Sequence, residues 1–356
     1  MRRVHTPSVA VRFISGMLLA PLAACCPYAF YELIAADPAV RLPLDEAPHC
    51  HAGGEWWYYT GRLSTDAGRV YGIEAVIFHG DLLGTSVTLA VAWVAHFSVL
   101  DEAEGIFVYD QTLEPGPSPN DASPGDGFDL DTPLVQMTGY EGRDHVRAAM
   151  PDGSYELDLV LDDQREVVLH GGDGYVPYGP YGHAFYYSRP IMAASGTLHV
   201  DGEPHAVTGS VWFDRQWGMD LRNPHLTWDW FSLRFDDGTA VMLFDFRGDE
   251  TPPVSLGTFM PAVGEPVPLE SDQFTITPTA WWSSPHTGRT YPVAWDIDIE
   301  PHALRLTVTA AADDQEFDAR SSTFNVYWEG LCNVTGTRAD QPVTGHAYVE
   351  LTNYPS

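Results

Sequence analysis

The residues best suited to chemistry lie in Val211-Trp212-Phe213-Asp214-Arg215-Gln216-Trp217-Gly218. Read as a strand, this stretch alternates its side chains, so Trp212 and Asp214 share one face while Val211 and Phe213 take the other. A carboxyl beside large rings has two readings. It is a structural partner of Arg215, or it is an acid whose pKa is raised by apolar surroundings and which donates a proton near neutral pH. Alternation also means that Arg215 need not touch Asp214.

A second stretch, GYVPYGPYGHAFYYSRP, interleaves Tyr175, Tyr178, Tyr181, His183, Phe185, Tyr186 and Tyr187 with glycine and proline. Rings presented from such a loop suit the lining of a pocket. Other ring clusters, Trp56-Trp57-Tyr58-Tyr59 and Trp228 with Trp230 and Phe231, suit the core and end-plugs of a β-barrel.

The elements that must position these residues read as strands. Tyr155, Leu157, Leu159 and Leu161 alternate with acids, and Val87 to Phe97 alternates in the same way. Leu198-His199-Val200 meets Asp201-Gly202 before Val207, Val211 and Phe213. Phe231, Leu233 and Phe235 meet Asp237-Gly238 before Val241 and Leu243. Asp-Gly between period-2 runs is a hairpin signature, and no helical period is sustained. The chain is therefore expected to be all-β. Residues 114–127, rich in turn-formers and acids, form an excursion loop, and the domain boundary falls near Gly218 to Pro224. The expected layout is a signal segment over 1–25, a flexible linker over 26–45, one domain over 46–218 and a second over 219–356.

Composition narrows the function. Of 356 residues, 49 are Asp or Glu and 18 are basic, all of them Arg, giving a net charge of −31. That field repels phosphate backbones, so nucleic acid is not an expected partner. A chain without lysine cannot form a lysine Schiff base. The sequence also lacks G-x-S-x-G, H-E-x-x-H, and the glycine-rich nucleotide-binding loops. Carboxylate pairs cannot be singled out by spacing among 49 acids.

Gly54-Glu55-Trp56, with Trp57-Tyr58-Tyr59-x-Gly61 and Gly209-x-x-Trp212-x-Asp214-Arg215-Gln216-Trp217-Gly218, resembles the AttH-like / carotenoid 1,2-hydratase superfamily over residues 45–356. The resemblance implies two tandem lipocalin-like antiparallel β-barrel domains with a ligand pocket near their junction. It implies binding of an apolar, isoprenoid-like or polycyclic small molecule, and addition of water to a C=C bond without a cofactor. On that reading Asp214 is the proton donor, with His183 and Trp212 beside it; Phe185 stands where the family has a Trp. Tyr58, Tyr178, Tyr181, Phe185, Tyr187, Trp217 and Trp230 would hold the substrate. A non-catalytic lipophile carrier serving an export system and a cofactor-free pericyclase are the alternatives.

Arg2, Arg3 and Arg12 precede an apolar run, Phe13 to Ala24, that is too short to span a bilayer and ends in Leu22-Ala23-Ala24-Cys25. This resembles a bacterial lipobox. The expectation is an exported protein anchored to a membrane through lipid on Cys25, with Cys50 and Cys332 as its disulfide. His49-Cys50-His51 has metal-ligand residue types but no second cluster at ligand spacing.

Overall fold

The structure, a computed structural model, describes residues 39–49, 54–80, 92–115, 127–219, 227–248 and 251–355. Cys25, Cys26 and Cys50, the part before Ala92 of the strand expected over Val87 to Phe97, and most of the 114–127 loop lie outside them. Three short 3₁₀ turns apart, every regular element among the described residues is a strand.

The first sheet holds β1 (Gly54–Thr65), β2 (Val70–Gly80), β3 (Ala92–Asp101), β4 (Ile106–Pro115), β5 (Phe128–Asp131) and β6 (Val135–Tyr140). It continues with β7 (Arg143–Ala149), β8 (Tyr155–Asp163), β9 (Val168–Leu169), β10 (Tyr175–Pro177), β11 (His183–Val200) and β12 (Glu203–Met219). The second sheet holds β13 (Thr227–Phe235), β14 (Ala240–Gly248), β15 (Thr251–Met260), β16 (Val267–Leu269) and β17 (Phe274–Ser283). It is completed by β18 (Thr290–Ile299), β19 (Leu304–Ala310), β20 (Glu316–Ala319), β21 (Asn325–Arg338) and β22 (Gln341–Thr352).

All pairings are antiparallel, and in each sheet the first strand pairs with the last, β1 with β12 and β13 with β22. Each sheet curls into a half-barrel, giving two tandem lipocalin-like units. Local chemistry explains the register. β8 buries Tyr155, Leu157, Leu159 and Leu161 and exposes Glu156 and Asp158. Asp201 at φ 51° and Gly202 at φ 81° close the β11–β12 hairpin, a left-handed pair suited to the twist of the strands.

Each half-barrel has its own core. Trp57, Tyr59, Phe97, Phe128 and Phe213 anchor the first, and Phe231, Trp295 and Trp328 the second. A third apolar cluster draws on both halves, with Tyr178, Tyr186 and Trp212 from the first and Trp230, Phe244, Leu331 and Tyr348 from the second. At this junction Gly72 permits close approach: a Cβ there would stand 2.9 Å from Leu331 Cβ and 3.0 Å from the Tyr348 hydroxyl.

The end of the stretch expected to be a flexible linker is packed instead. Val40 lies in the first core and its N–H bonds to Asp173 O at 2.9 Å, and Glu46 O accepts from Trp57 Nε1 at 3.1 Å, so the segment is tied to that half-barrel. Cys332 is a buried thiol in the second core and a free cysteine among the described residues. Its expected partner, Cys50, lies outside them.

Candidate active site

β12 runs between β1 and β11, and Asp214 stands in register with Tyr58 on one side and Ser188 on the other. The even-numbered side chains of this strand, Trp212, Asp214 and Gln216, face the junction between the half-barrels, whereas Val211, Phe213 and Trp217 enter the first core.

Asp214 is buried, and its partners are neutral donors. Its Oδ1 accepts from Trp212 Nε1 at 2.6 Å and from the Ser188 hydroxyl; its Oδ2 accepts from the Tyr186 hydroxyl at 2.6 Å. Burial raises its pKa to about 7, against the opposing pull of those three hydrogen bonds. The Tyr186 oxygen in turn accepts from Trp230 Nε1, at 3.0 Å, across the junction.

Behind Ser188 lies a chain of polar groups. Ser188 Oγ is 2.7 Å from His170 Nε2, and His170 Nδ1 is 2.8 Å from Thr258 Oγ1. Burial lowers the His170 pKa to about 3, so its imidazole is neutral at pH 7. With the proton assigned to Nε2, every hydroxyl and N–H in this chain donates toward Asp214.

Three further carboxyls share the junction. Tyr58 donates to Glu329 Oε2 at 2.7 Å, Tyr327 to Glu74 Oε1 at 2.8 Å, and Trp228 Nε1 to Glu350 Oε2 at 3.0 Å. Burial raises Glu74 to about 7 and Glu350 to about 8. Glu329 is pushed well above the carboxylate range by burial and then by the nearby Glu74 and Glu350 charges. At pH 7 Glu350 and Glu329 are mostly protonated and Glu74 is close to its midpoint, so these groups can hold and give up protons near neutrality rather than act as fixed charges.

Arg215 belongs to a different structure. It donates to Glu55 Oε2 at 2.6 Å and Ala47 O at 3.0 Å, with its guanidinium 3.8 Å from the centre of the Trp57 ring. Burial would raise Glu55, but Arg215, assisted by His49 and His79, holds it ionised well below the usual range. His49, from the triplet with ligand-type residues, is stacked on Trp217 at 4.4 Å and bonded to Glu55 and Arg215. An Asp214–Arg215 ion pair is thus replaced by Arg215–Glu55, because adjacent residues of a strand face opposite ways.

The same alternation sorts the other expected residues. Tyr58, Tyr178, Trp212 and Trp230 gather with Asp214 at the junction: Trp230 makes edge contacts with both Tyr58 and Trp212 at 6.2 Å, and Tyr178 accepts from Gln216 Nε2 at 2.8 Å. Tyr181 sits further out, 6.1 Å from the Phe246 ring. His183, Phe185 and Tyr187 fall on the other parity of β11. Phe185 stacks on Trp217 at 5.3 Å, Tyr187 meets Phe213 and Trp217, and His183 packs 5.1 Å from Tyr175. The expected grouping of His183 and Phe185 with Asp214 is not formed; Tyr186 and Ser188 occupy those places. Tyr186, which the sequence places only among the pocket-lining rings, and Ser188 and His170, which it does not single out, complete the surroundings of Asp214. Once β11 is known to pair with β12, parity alone would have selected the first two.

Two tandem lipocalin-like half-barrels with a carboxyl of raised pKa buried among rings at their junction define the class of β protein to which this chain belongs. The chain belongs to the AttH-like family, whose model matches residues 34–354. An AttH protein from Nitrosomonas europaea is 30% identical, with a TM-score of 0.79 over 91% of this chain and 99% of that one. Kievitone hydratase from Nectria haematococca shares the fold at 21% identity, with a TM-score of 0.69 over 90% and 94% of the two chains. Dehydratase asqC from Emericella nidulans is 23% identical over 224 residues, 58% of this chain. The match spans 60% of that protein's length.

Proposed function

We propose that this protein is an exported, lipid-anchored hydratase or dehydratase that acts on an apolar, isoprenoid-like or polycyclic molecule held between its half-barrels. The observation that carries the reading is Asp214: a buried carboxyl bonded to three neutral donors and raised to about 7. Names among the relatives, a hydratase and a dehydratase, support the same class of reaction.

In the hydration direction, the proton on Asp214 goes to one carbon of a trisubstituted double bond. The π pair forms the new C–H bond and leaves a tertiary cation. The faces of Trp212, Trp230 and Tyr58 stabilise that charge by about 0.5–2 kcal/mol each. Water then forms the C–O bond, and the proton it sheds returns to Asp214, so no cofactor is consumed. Dehydration is the reverse. Tyr186, between Asp214 Oδ2 and Trp230, orients the proton-bearing oxygen.

The test is the mass of the apolar ligand that co-purifies, compared before and after incubation in H₂¹⁸O. Incorporation of label by the wild type and its loss in Asp214→Asn are expected. An unchanged bound lipid would instead favour the carrier, and an isomerised but unlabelled one the pericyclase.

A further inference from the structure

Four residues along from the acid end, the junction changes character. Arg234 on β13 is 2% exposed and crosses from the second half-barrel toward the first, where its only side-chain partner among the described residues is Ser210 Oγ at 3.4 Å. Its Nε and Nη2 are buried without a hydrogen-bond partner. The charged or titratable groups about it are His346, in register on β22, and Tyr348 from the same strand, with Arg62 of β1 close to His346. Arg62 pairs with Ser210 in the β1–β12 register, and its carboxylate neighbour, Glu102, is 3.8 Å away. His346 Nε2 and the Tyr348 hydroxyl are also buried and unpartnered.

This arrangement is anomalous for a chain with 49 acids and 18 arginines. A buried cation is ordinarily paired, and one left without an anion costs several kcal/mol. Burial lowers Arg234 only to about 9, so it remains charged at neutral pH, while burial and the two arginines keep His346 neutral. The Arg234 guanidinium, the His346 imidazole and the Tyr348 phenol thus have unpartnered polar atoms, with no carboxylate of the described residues on Arg234 and with Arg62, itself paired to Glu102, adding positive charge beside His346.

We propose that Arg234, with Arg62, His346 and Tyr348, binds a carboxylate between the half-barrels. The planar guanidinium with two free donors matches the two oxygens of that group. Two sources supply the chemistry: a free small carboxylate, or the acid end of an apolar ligand. Ser210 and Asp214 are four residues apart on β12, about 13 Å at 3.3 Å per residue, which is the reach of a twelve-carbon chain. The site does not depend on proton transfer by Asp214.

Calorimetric titration with sodium acetate and with sodium dodecanoate below its micelle concentration, at fixed ionic strength in sodium chloride, tests this. The wild type is expected to bind saturably. Arg234→Met, which removes an uncompensated buried charge, is expected to fold and to lose binding. Arg234→Lys keeps the charge without the fork and is expected to bind at least about 10-fold more weakly. Dodecanoate binding about 10-fold or more tighter than acetate would identify the acid end of a ligand, and equal affinities a free anion. Asp214→Asn should leave acetate affinity unchanged even where the hydration reading fails. Absence of saturable binding in the wild type, or equal binding by Arg234→Lys or Arg234→Met, would overturn the proposal.

Discussion

Asp214 and Arg215 are joined by one peptide bond yet face opposite sides of β12. The first is held at the junction by Trp212, Tyr186 and Ser188; the second pairs with Glu55 at 2.6 Å beneath the first core. One carboxyl is left without a counter-charge and keeps its proton up to about pH 7, while the other is locked as an anion. The acid of the site and the ion pair of the scaffold are thereby insulated from each other.

Asp214→Asn preserves shape and removes the transferable proton. Hydration should fall by at least about 100-fold, the scale of general acid catalysis, with the unfolding midpoint in urea unchanged or raised. Unfolding of the variant, with activity tracking the folded fraction, would make Asp214 a structural residue.

Breaking the neighbouring pair should do the opposite. Glu55→Gln strands a buried guanidinium and is expected to cost about 3–5 kcal/mol in denaturant unfolding. Turnover per folded molecule should stay near that of the wild type, because the pair lies on the other face of β12.

Stability should decline as pH rises from about 6.5 to 8, above the range in which the buried neutral histidines, His96 and His170 among them, oppose the trend. The sign follows from Asp214 and Glu74 at about 7 and Glu350 at about 8 in the folded protein, all above their ordinary values of 3.8 and 4.5. Across that window the native state retains protons that the unfolded chain has released, so unfolding is favoured as pH climbs. A fall in Tm on the order of 5 °C is expected by calorimetry. A curve that rises over this range would contradict the neutral-carboxyl assignment.

Tyr186→Phe removes a hydrogen bond that stabilises the Asp214 carboxylate. The basic limb of the pH–rate profile should move to higher pH, and the rate should drop as the proton-bearing oxygen loses its orientation. A drop in rate with an unmoved profile would separate Tyr186 from the acid.

Gly72→Ala places a methyl against Leu331 and Tyr348 where the half-barrels touch. A loss of about 1–3 kcal/mol is expected, with both sheets intact by far-UV circular dichroism.

Cys25→Ser tests the proposed anchor: the wild type should partition with membranes and the variant should be released. A mature N-terminus elsewhere than Cys25 would remove the lipid anchor from the proposal.

Much of this was legible in the sequence. Period-2 runs such as Tyr155 to Leu161, and the Asp201-Gly202 turn, announce antiparallel strands because side-chain alternation and left-handed turn residues are local properties. The same alternation separates Asp214 from Arg215, and with the W-x-D-R-Q-W-G block it singles out the acid. What surrounds the acid is not local. Ser188, Tyr186 and His170 reach Asp214 only through the β11–β12 register and the β9–β11 loop, and Trp230 only because the half-barrels pack together. His183 is excluded by strand parity, which a one-residue change of register would reverse. Glu74, Glu329 and Glu350 were invisible among 49 acids, and Arg234 looked like any other arginine. Burial and the absence of a counter-charge set such groups apart, and both arise from contacts distant in sequence, such as Glu74–Tyr327 and Glu329–Tyr58, 253 and 271 positions apart.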